Sequence, residues 1–239
     1  MAEEFEDRDL SASVFWGVNL QKATFRDADF SGSTFFHTEW RDVSIDGVID
    51  RLVVNGVDVT SYVNEHDIWH PLRVQLSPDS VEEMRATWEN LCAEWAKVLD
   101  RVSGMPPDAA TVSVNGEWSL RDTLRHLMFA MDKWFMWPIL GRRDFTPMGL
   151  PNTGSIDRDW PGLDRTSDPT FAAVLETRAS MTATFTDYLS SLDLTTMEPE
   201  VDVLENGSVP ALMCFHVVFE EEFEHLRYAL RDLSVLTAG

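Results

Sequence analysis

The chain has 239 residues, of which 44% are hydrophobic, so it can bury a core in one large or two small domains. Its 41 acidic residues outnumber the 19 lysines and arginines, and the formal net charge of -22 argues against nucleic acid or an anionic membrane as a partner. Neither a signal peptide nor a membrane span is indicated and the two cysteines imply no disulfide framework, so we expect a cytoplasmic protein.

The N-terminal segment repeats a large apolar residue at intervals of five. These residues are Leu10, Phe15, Leu20, Phe25, Phe30, Phe35, Trp40 and Ile45, and most are preceded by a small or β-branched residue two positions earlier. This interval fits neither a helix nor a strand but suits a tightly coiled solenoid. The segment resembles the pentapeptide repeat, which implies a right-handed β-helix of about two coils. Because two coils bury little surface, we expect the solenoid to need something to dock on.

A hairpin is predicted next, because Asn55-Gly56 lies between two β-rich runs in residues 48–59. His66 and His70 follow at a metal-like spacing of four, but Pro71 comes directly after them and the segment is short. We therefore interpret residues 61–77 as a linker. The predicted domains are a solenoid with its terminal hairpin over residues 1–60, this linker, and a helical domain over residues 78–239.

The helical domain is predicted to begin with two long helices. The first has Ser77 as its N-cap and Pro78 at its first position, and it extends to about residue 102. The second begins with Ser119 and Asp122, in a pattern like a capping box, and reaches about Trp137.

Two further helices follow a long irregular connection over residues 138–168, of a length that is often functional. Asp168-Pro169 predicts the start of the third helix, which ends near Leu192, and Ser208-Val209-Pro210 predicts the start of the fourth. Four helices with two extended connections indicate an up-down four-helix bundle. The predicted fold class is therefore α+β, mainly α.

The last helix carries a carboxylate and an imidazole on one largely apolar face. Glu221 and His225 are four residues apart, which places their Cβ atoms about 5–6 Å from each other, so both could bind one ion. A buried Glu–His hydrogen bond is the alternative. Glu220 and Glu224 fall on a charged, solvated face, while Glu222 lies near the apolar stripe and could contact a ligating imidazole.

His126, at the edge of the apolar stripe of the second helix, is the candidate third ligand. By itself it could equally be a buried histidine with satisfied hydrogen bonds. His216 lies nearly opposite His225 around the last helix, so we do not expect it to join the site.

The GEWS segment, His126 in LRHLMFAMD and the Glu-x-x-x-His pair together resemble the DinB family of metal-binding bundles over about residues 78–236. The resemblance implies a divalent metal held by His126, Glu221 and His225. Many members have a histidine at the position of Glu221, and the His, Glu, His set is similar to that of the mycothiol-dependent maleylpyruvate isomerases. That similarity implies zinc, with nickel as the alternative, an open coordination position, and a low-molecular-weight thiol such as mycothiol.

The expected function is a metal-dependent thiol transferase, in which the activated thiol attacks a small electrophile. The isomerase's additional C-terminal domain has no counterpart before Gly239, so we do not carry over its reaction. Arg125, Arg142 and Arg143 could hold the carboxylate or sugar hydroxyls of a thiol cofactor, with ordinary surface charge as the alternative. Tyr228 is the candidate proton donor.

Two other functions stay open at this point. One is a binding or scaffold protein with a structural metal, and the other is a metal-dependent hydrolase in which the same trio activates water. A solenoid fused to such a bundle suits an actinobacterial, mycothiol-producing organism. The expected partners are the thiol and the electrophile, with a homodimer as one option for the assembly.

Overall fold

The structure is a computed structural model that describes residues 4–5, 8–26, 28–155 and 158–238. The chain divides into two compact units, Met1–Asp46 and Gly47–Gly239. We call them the N-terminal unit and the helical unit. The hairpin and the segment interpreted as a linker both belong to the helical unit.

The N-terminal unit repeats its backbone conformation every five residues. A positive φ recurs two positions after the large apolar residue, at Ala12, Gly17, Lys22, Gly32, His37 and Asp42. The rings of Phe25, Phe30, Phe35 and Trp40 contact one another in sequence, with centroids 5.3–6.2 Å apart. In its described part no residue belongs to a strand and every residue is exposed, which agrees with the expectation that so few repeats bury little surface.

The predicted hairpin is confirmed at the start of the helical unit. Strand β1 (Val53–Val54) pairs antiparallel with β2 (Val57–Asp58). Asn55 and Gly56 form the turn, with φ values of 51° and 82°. Such a pair of left-handed residues matches the twist of the two strands.

The segment interpreted as a linker contains two short helices. It forms α1 (Thr60–His66) and α2 (His70–Arg73). Arg73 is only 7% exposed, with its guanidinium 5.2 Å from the ring centre of Phe223 and its Nε 3.3 Å from the carboxylate of Asp67. The segment therefore packs on the last helix.

Four long helices make up most of the helical unit: α3 (Val81–Ser103), α4 (Leu120–Met131), α5 (Phe171–Ser191) and α6 (Ala211–Ala238). Helices α3 and α4 each contact both α5 and α6. The helical period predicts an apolar stripe on α6 made of Phe215, Phe219, Phe223, Leu226, Leu230 and Leu233. All are at most 1% exposed except Leu230, which is half-buried. Within the described ranges, no helix has the length and apolar character needed to cross a membrane.

The predicted starts of α3 and α4 have different outcomes. Ser77 is the wrong cap for α3, because Ser80 accepts a hydrogen bond from the amide of Glu83 and the carboxylate of Glu83 accepts one in return. Ser119 caps α4 as predicted, accepting from the amide of Asp122. Pro78 therefore lies before the helix rather than at its first position.

The starts predicted for α5 and α6 also need correction. Thr170, rather than Asp168, caps α5 through its side-chain oxygen. The segment predicted to begin α6 is instead β4 (Ser208–Pro210), which pairs antiparallel with β3 (Glu200–Asp202). The helix begins directly after it, at Ala211. The two hairpins are the only strands in the described part of the chain.

Helix α4 continues as a π-helical turn, Asp132–Met136, before the long connection. The connection buries Phe145 and Trp160 against Phe129 of α4, with ring centroids 5.0–5.4 Å apart. Gly162 has a φ of 84°, and a Cβ there would lie 2.7 Å from the carbonyl oxygen of Phe145. The loop is therefore packed and specific in conformation, although it lacks long regular elements.

Candidate metal centre

The three side chains proposed as metal ligands lie together, His126 on α4 and Glu221 and His225 on α6. One ligand atom from each lies within 4.8 Å of the others, and no other such group of three occurs among the residues described. Nε2 of His126 is 3.2 Å from Oε2 of Glu221. Two ligands of one tetrahedral zinc ion, each bound at about 2.0–2.1 Å, would be about 3.3 Å apart. The spacing therefore fits a shared ion.

The orientation of His126 suits a proton or a metal ion between its Nε2 and Glu221. Its Nδ1–H donates to the carbonyl oxygen of Leu150 at 3.0 Å, and a carbonyl can only accept. In a neutral imidazole this leaves Nε2 with a lone pair, facing the carboxylate of Glu221. Two lone pairs repel at this distance. Either a second imidazole proton or a metal ion must lie between them.

His225 is oriented by its own helix. Its Nδ1 donates to the backbone carbonyl of Glu221 at 2.9 Å, which leaves Nε2 available for an ion. Trp118 lies over both imidazoles, with its ring centre 4.7 Å from that of His126 and 6.2 Å from that of His225. Sequence reasoning gave Trp118 no role, although it stands in the GEWS segment directly before the cap of α4.

The surroundings of Glu221 and His225 favour a carboxylate and a neutral imidazole at these two positions. Burial works to raise the pKa of Glu221, but the hydrogen bond to His126 and the positive charges of His126, His225 and Lys133 hold that pKa below its usual range. Burial, followed by the charge of His126, lowers the pKa of His225. A carboxylate and a neutral imidazole are thus both favoured. His126 is 4% exposed and the side chain of Glu221 is 28% exposed, so solvent reaches the trio beside Glu221.

Arg125 is buried and hydrogen-bonded within the protein. It is 7% exposed, and its three guanidinium nitrogens donate to Met148, Asp122 and Ser167 at 2.9, 3.2 and 3.0 Å. These bonds tie α4 to the long loop that carries Leu150. All three nitrogens have partners within the protein, and the role of Arg125 as a cofactor ligand stays a prediction.

Arg142 and Arg143 are both exposed on the long loop. The guanidinium of Arg143 lies 5.0 Å from the ring centre of Trp137. Arg143 and Trp137, together with Asp202, line a pocket of about 340 Å³ between the loop and the β3–β4 hairpin. None of the three proposed metal ligands lines this pocket. Arg142 and Arg143 stay candidates for binding a cofactor, as predicted.

The other polar residues of α6 are directed elsewhere. Glu222 forms a buried ion pair with Arg178 of α5, so it is not the hydrogen-bond partner of an imidazole. Burial raises the pKa of Glu222, although Arg178 opposes that effect. His216 donates to a backbone carbonyl before α3, outside the trio. The ring of Tyr228 lies edge-on to His225 at 5.7 Å and is 43% exposed, and its role as a proton donor stays a prediction.

Comparisons with known families agree with these observations. The sequence model of the DinB superfamily matches residues 75–229, well over half of the chain, and that range includes all three proposed ligands. Eight copies of the pentapeptide repeat match residues 5–38. Comparison with curated proteins and with solved structures found no match. Members of the DinB superfamily typically bind a metal. The chain belongs to the DinB superfamily, and it carries pentapeptide repeats at its N-terminus.

Proposed function

We propose that the protein is a metal-dependent thiol transferase. In this proposal His126, Glu221 and His225 hold a divalent ion, zinc or nickel, and a low-molecular-weight thiol of the mycothiol type attacks a small electrophile. The single observation that carries the metal centre is Nε2 of His126 facing the carboxylate of Glu221 at 3.2 Å while its Nδ1–H is engaged by Leu150. Membership of a superfamily that typically binds metal supports the same assignment.

A divalent ion in this trio would lower the pKa of a thiol at its open position, so that the nucleophilic thiolate forms near neutral pH. The chain's own residues prepare that position. The carbonyls of Leu150 and Glu221 fix the two imidazoles through Nδ1, and the ring of Trp118 shields one side from water. The partly exposed edge of Glu221 is the side from which a small molecule can enter.

The chain's own thiols are unsuited to act as the nucleophile. Cys92 and Cys214 are free, and burial raises the pKa of each to about 11, with the charge of Glu222 adding to the effect at Cys92. A thiol whose pKa lies this far above neutral pH is almost entirely protonated, so it reacts slowly. This supports a separate thiol molecule, whose polar groups we assign to Arg143 and Arg142 beside Trp137.

We also propose the finer architecture implied by the families. The alternating contacts of α3 and α4 with α5 and α6 support an up-down four-helix bundle. The recurrence of a positive φ every five residues supports a right-handed β-helix of about two coils in the N-terminal unit. The division into residues 1–60, 61–77 and 78–239 stays a prediction.

Calorimetric titration of the full chain with mycothiol, glutathione or no thiol, in zinc-loaded and metal-free forms, tests the proposed reaction. We expect one of the thiols to bind only the zinc-loaded protein, with release of a proton as the thiol ionises. Thiol binding that does not depend on zinc, or no thiol binding at all, would contradict a transferase. Hydrolysis of a model ester by the zinc form without thiol would favour the hydrolase, in which water takes the same position.

A further inference from the structure

We propose that Arg178 and Glu222 are positioning residues for the metal centre. Their buried ion pair fixes the rotation of α6 about its axis, so that the neighbouring carboxylate of Glu221 faces His126. The inference rests on the metal centre proposed above, and it assigns a role to Glu222, a buried acidic residue next to the proposed ligand Glu221 that the site itself does not use.

The pair is buried deep in the helical unit and is incompletely satisfied. Glu222 is 1% exposed and Arg178 is 8% exposed, and Nη2 of Arg178 donates to Oε1 of Glu222. Within the described ranges, Nη1 of Arg178 and Oε2 of Glu222 are buried without any hydrogen-bond partner. Such a pair is usually no more stable than apolar side chains of similar volume. Stability alone therefore does not account for it.

The ligand-bearing turn of α6 is held from all three neighbouring helices. From α4, His126 faces the carboxylate of Glu221. From α5, Arg178 holds the carboxylate of Glu222. From α3, the indole N–H of Trp95 donates to the backbone carbonyl of Glu222 at 3.3 Å. Polar contacts with α3 and α5 thus act within one residue of the proposed ligand.

Directional contacts are needed here because apolar packing restrains helix rotation only loosely. The stripe that contains Phe219 and Phe223 can tolerate a small rotation, since the hydrophobic effect has no preferred direction. A rotation of about 20° would move a carboxylate about 6 Å from the helix axis by about 2 Å. Misplacement by about 1 Å can cost a functional site about a hundredfold. An ion pair of fixed geometry limits that rotation.

The test is the double variant Arg178→Met with Glu222→Met, made in the full chain so that no unpaired charge is left in the core. We expect its unfolding midpoint in chelator to equal or exceed that of the wild type, while its zinc affinity, measured by chelator competition, falls at least tenfold. Arg85→Met is the control. Arg85 donates to the carbonyls of Leu189 and Ser190 at the end of α5, so its loss should lower stability and leave zinc affinity unchanged.

The outcomes separate this inference from the proposal on which it rests. Wild-type zinc affinity in the folded double variant would overturn the positioning role. No zinc binding by the wild type would overturn the metal centre itself. Should the double variant fail to fold, Glu222→Gln keeps the shape and one acceptor but loosens the pair. Weaker zinc binding by that folded variant supports the inference, and unchanged binding contradicts it.

Discussion

His126, Glu221 and His225 lie where α6 faces α4, whereas Glu222, one residue further along, is paired with Arg178 of α5. Solvent reaches the side chain of Glu221, which is 28% exposed, while that of Glu222 is 2% exposed. The cation beside Glu222 is part of the chain. The two imidazoles beside Glu221 donate their Nδ1 protons to carbonyls, so each leaves Nε2 for a further proton or, in the proposed centre, for a metal ion. In that proposal the cation beside Glu221 is exchangeable, whereas the one beside Glu222 is fixed.

The largest effect is expected from removing the fixed cation alone. Arg178→Met leaves Glu222 buried and unpaired, which should lower the free energy of unfolding by about 3–5 kcal/mol. Urea unfolding in chelator measures this loss. The double variant with Glu222→Met should recover it. A loss below about 1 kcal/mol in the single variant would show that Glu222 takes up a proton or a water instead of remaining charged.

The exchangeable cation should contribute only when it is present. With free zinc at about 1,000 times its dissociation constant, the wild type should gain about 4 kcal/mol of stability. Glu221→Ala should lose most of that gain, yet unfold like the wild type in chelator. Glu222→Ala should be destabilised in both conditions. If thermal unfolding gave the two variants the same midpoints with zinc and with chelator, Glu221 and Glu222 would not have different roles.

Asp132 is another buried carboxylate, and in the described part of the chain no cationic side chain bonds to it. Its Oδ2 accepts from the amide of Thr146 at 2.6 Å, and burial raises its pKa to about 6, against the opposing effects of Thr146 and Arg142. Between about pH 4 and pH 6 the folded state therefore holds a proton that the unfolded state has lost. The contribution of this proton to the free energy of unfolding is complete below about pH 4 and is lost as the pH rises through about 6.

The free energy of unfolding of Asp132→Asn, relative to that of the wild type, should consequently rise with pH. The expected rise is up to about 3 kcal/mol between pH 4 and pH 7.5. Urea unfolding of both proteins in chelator gives the difference, in which the other titrating groups cancel. A difference that does not change with pH would show that Asp132 is ionised in the folded protein throughout this range.

The smallest effect should come from the ring that covers the trio. Trp118→Leu admits water to the imidazoles, and we expect zinc affinity to fall about tenfold, or about 1.4 kcal/mol. Trp137→Leu is the matched control, because Trp137 stacks with Arg143 at the separate pocket. It should leave zinc affinity unchanged and weaken thiol binding. If Trp137→Leu weakened zinc binding and Trp118→Leu did not, Trp118 would not be the ring that shields the imidazoles.

The three side chains that the structure brings together were all named from the sequence. The helical period places Glu221 and His225 on one face and His126 at the edge of an apolar stripe, and the family resemblance linked the three. Sequence reasoning could not assign a partner to Glu222, because a helical wheel shows which face a residue occupies but not which helix lies opposite. Its partner Arg178 is 44 residues away on α5. The hydrogen bonds of Arg125 were missed for a related reason, since their acceptors lie on a loop whose path has no periodic pattern.

The two hairpins show the same limit on a local scale. Asn55-Gly56 could be predicted because the turn chemistry is contained in two residues. The β3–β4 hairpin was missed because each strand has three residues and its turn is a 3-10 helix, Leu204–Asn206, followed by Gly207 with a φ of 68°. Pro210 then looked like a first helical residue, although it ends a strand.

The most direct test of the central claim is the zinc content of the purified full chain. The protein would be stripped with chelator, dialysed against zinc, and analysed for metal and protein concentration, beside a His126→Ala variant whose fold is checked by circular dichroism. A metal centre at His126, Glu221 and His225 predicts one zinc ion per wild-type chain and none in the variant. A metal-free wild type, or a variant that keeps one ion per chain, would contradict it.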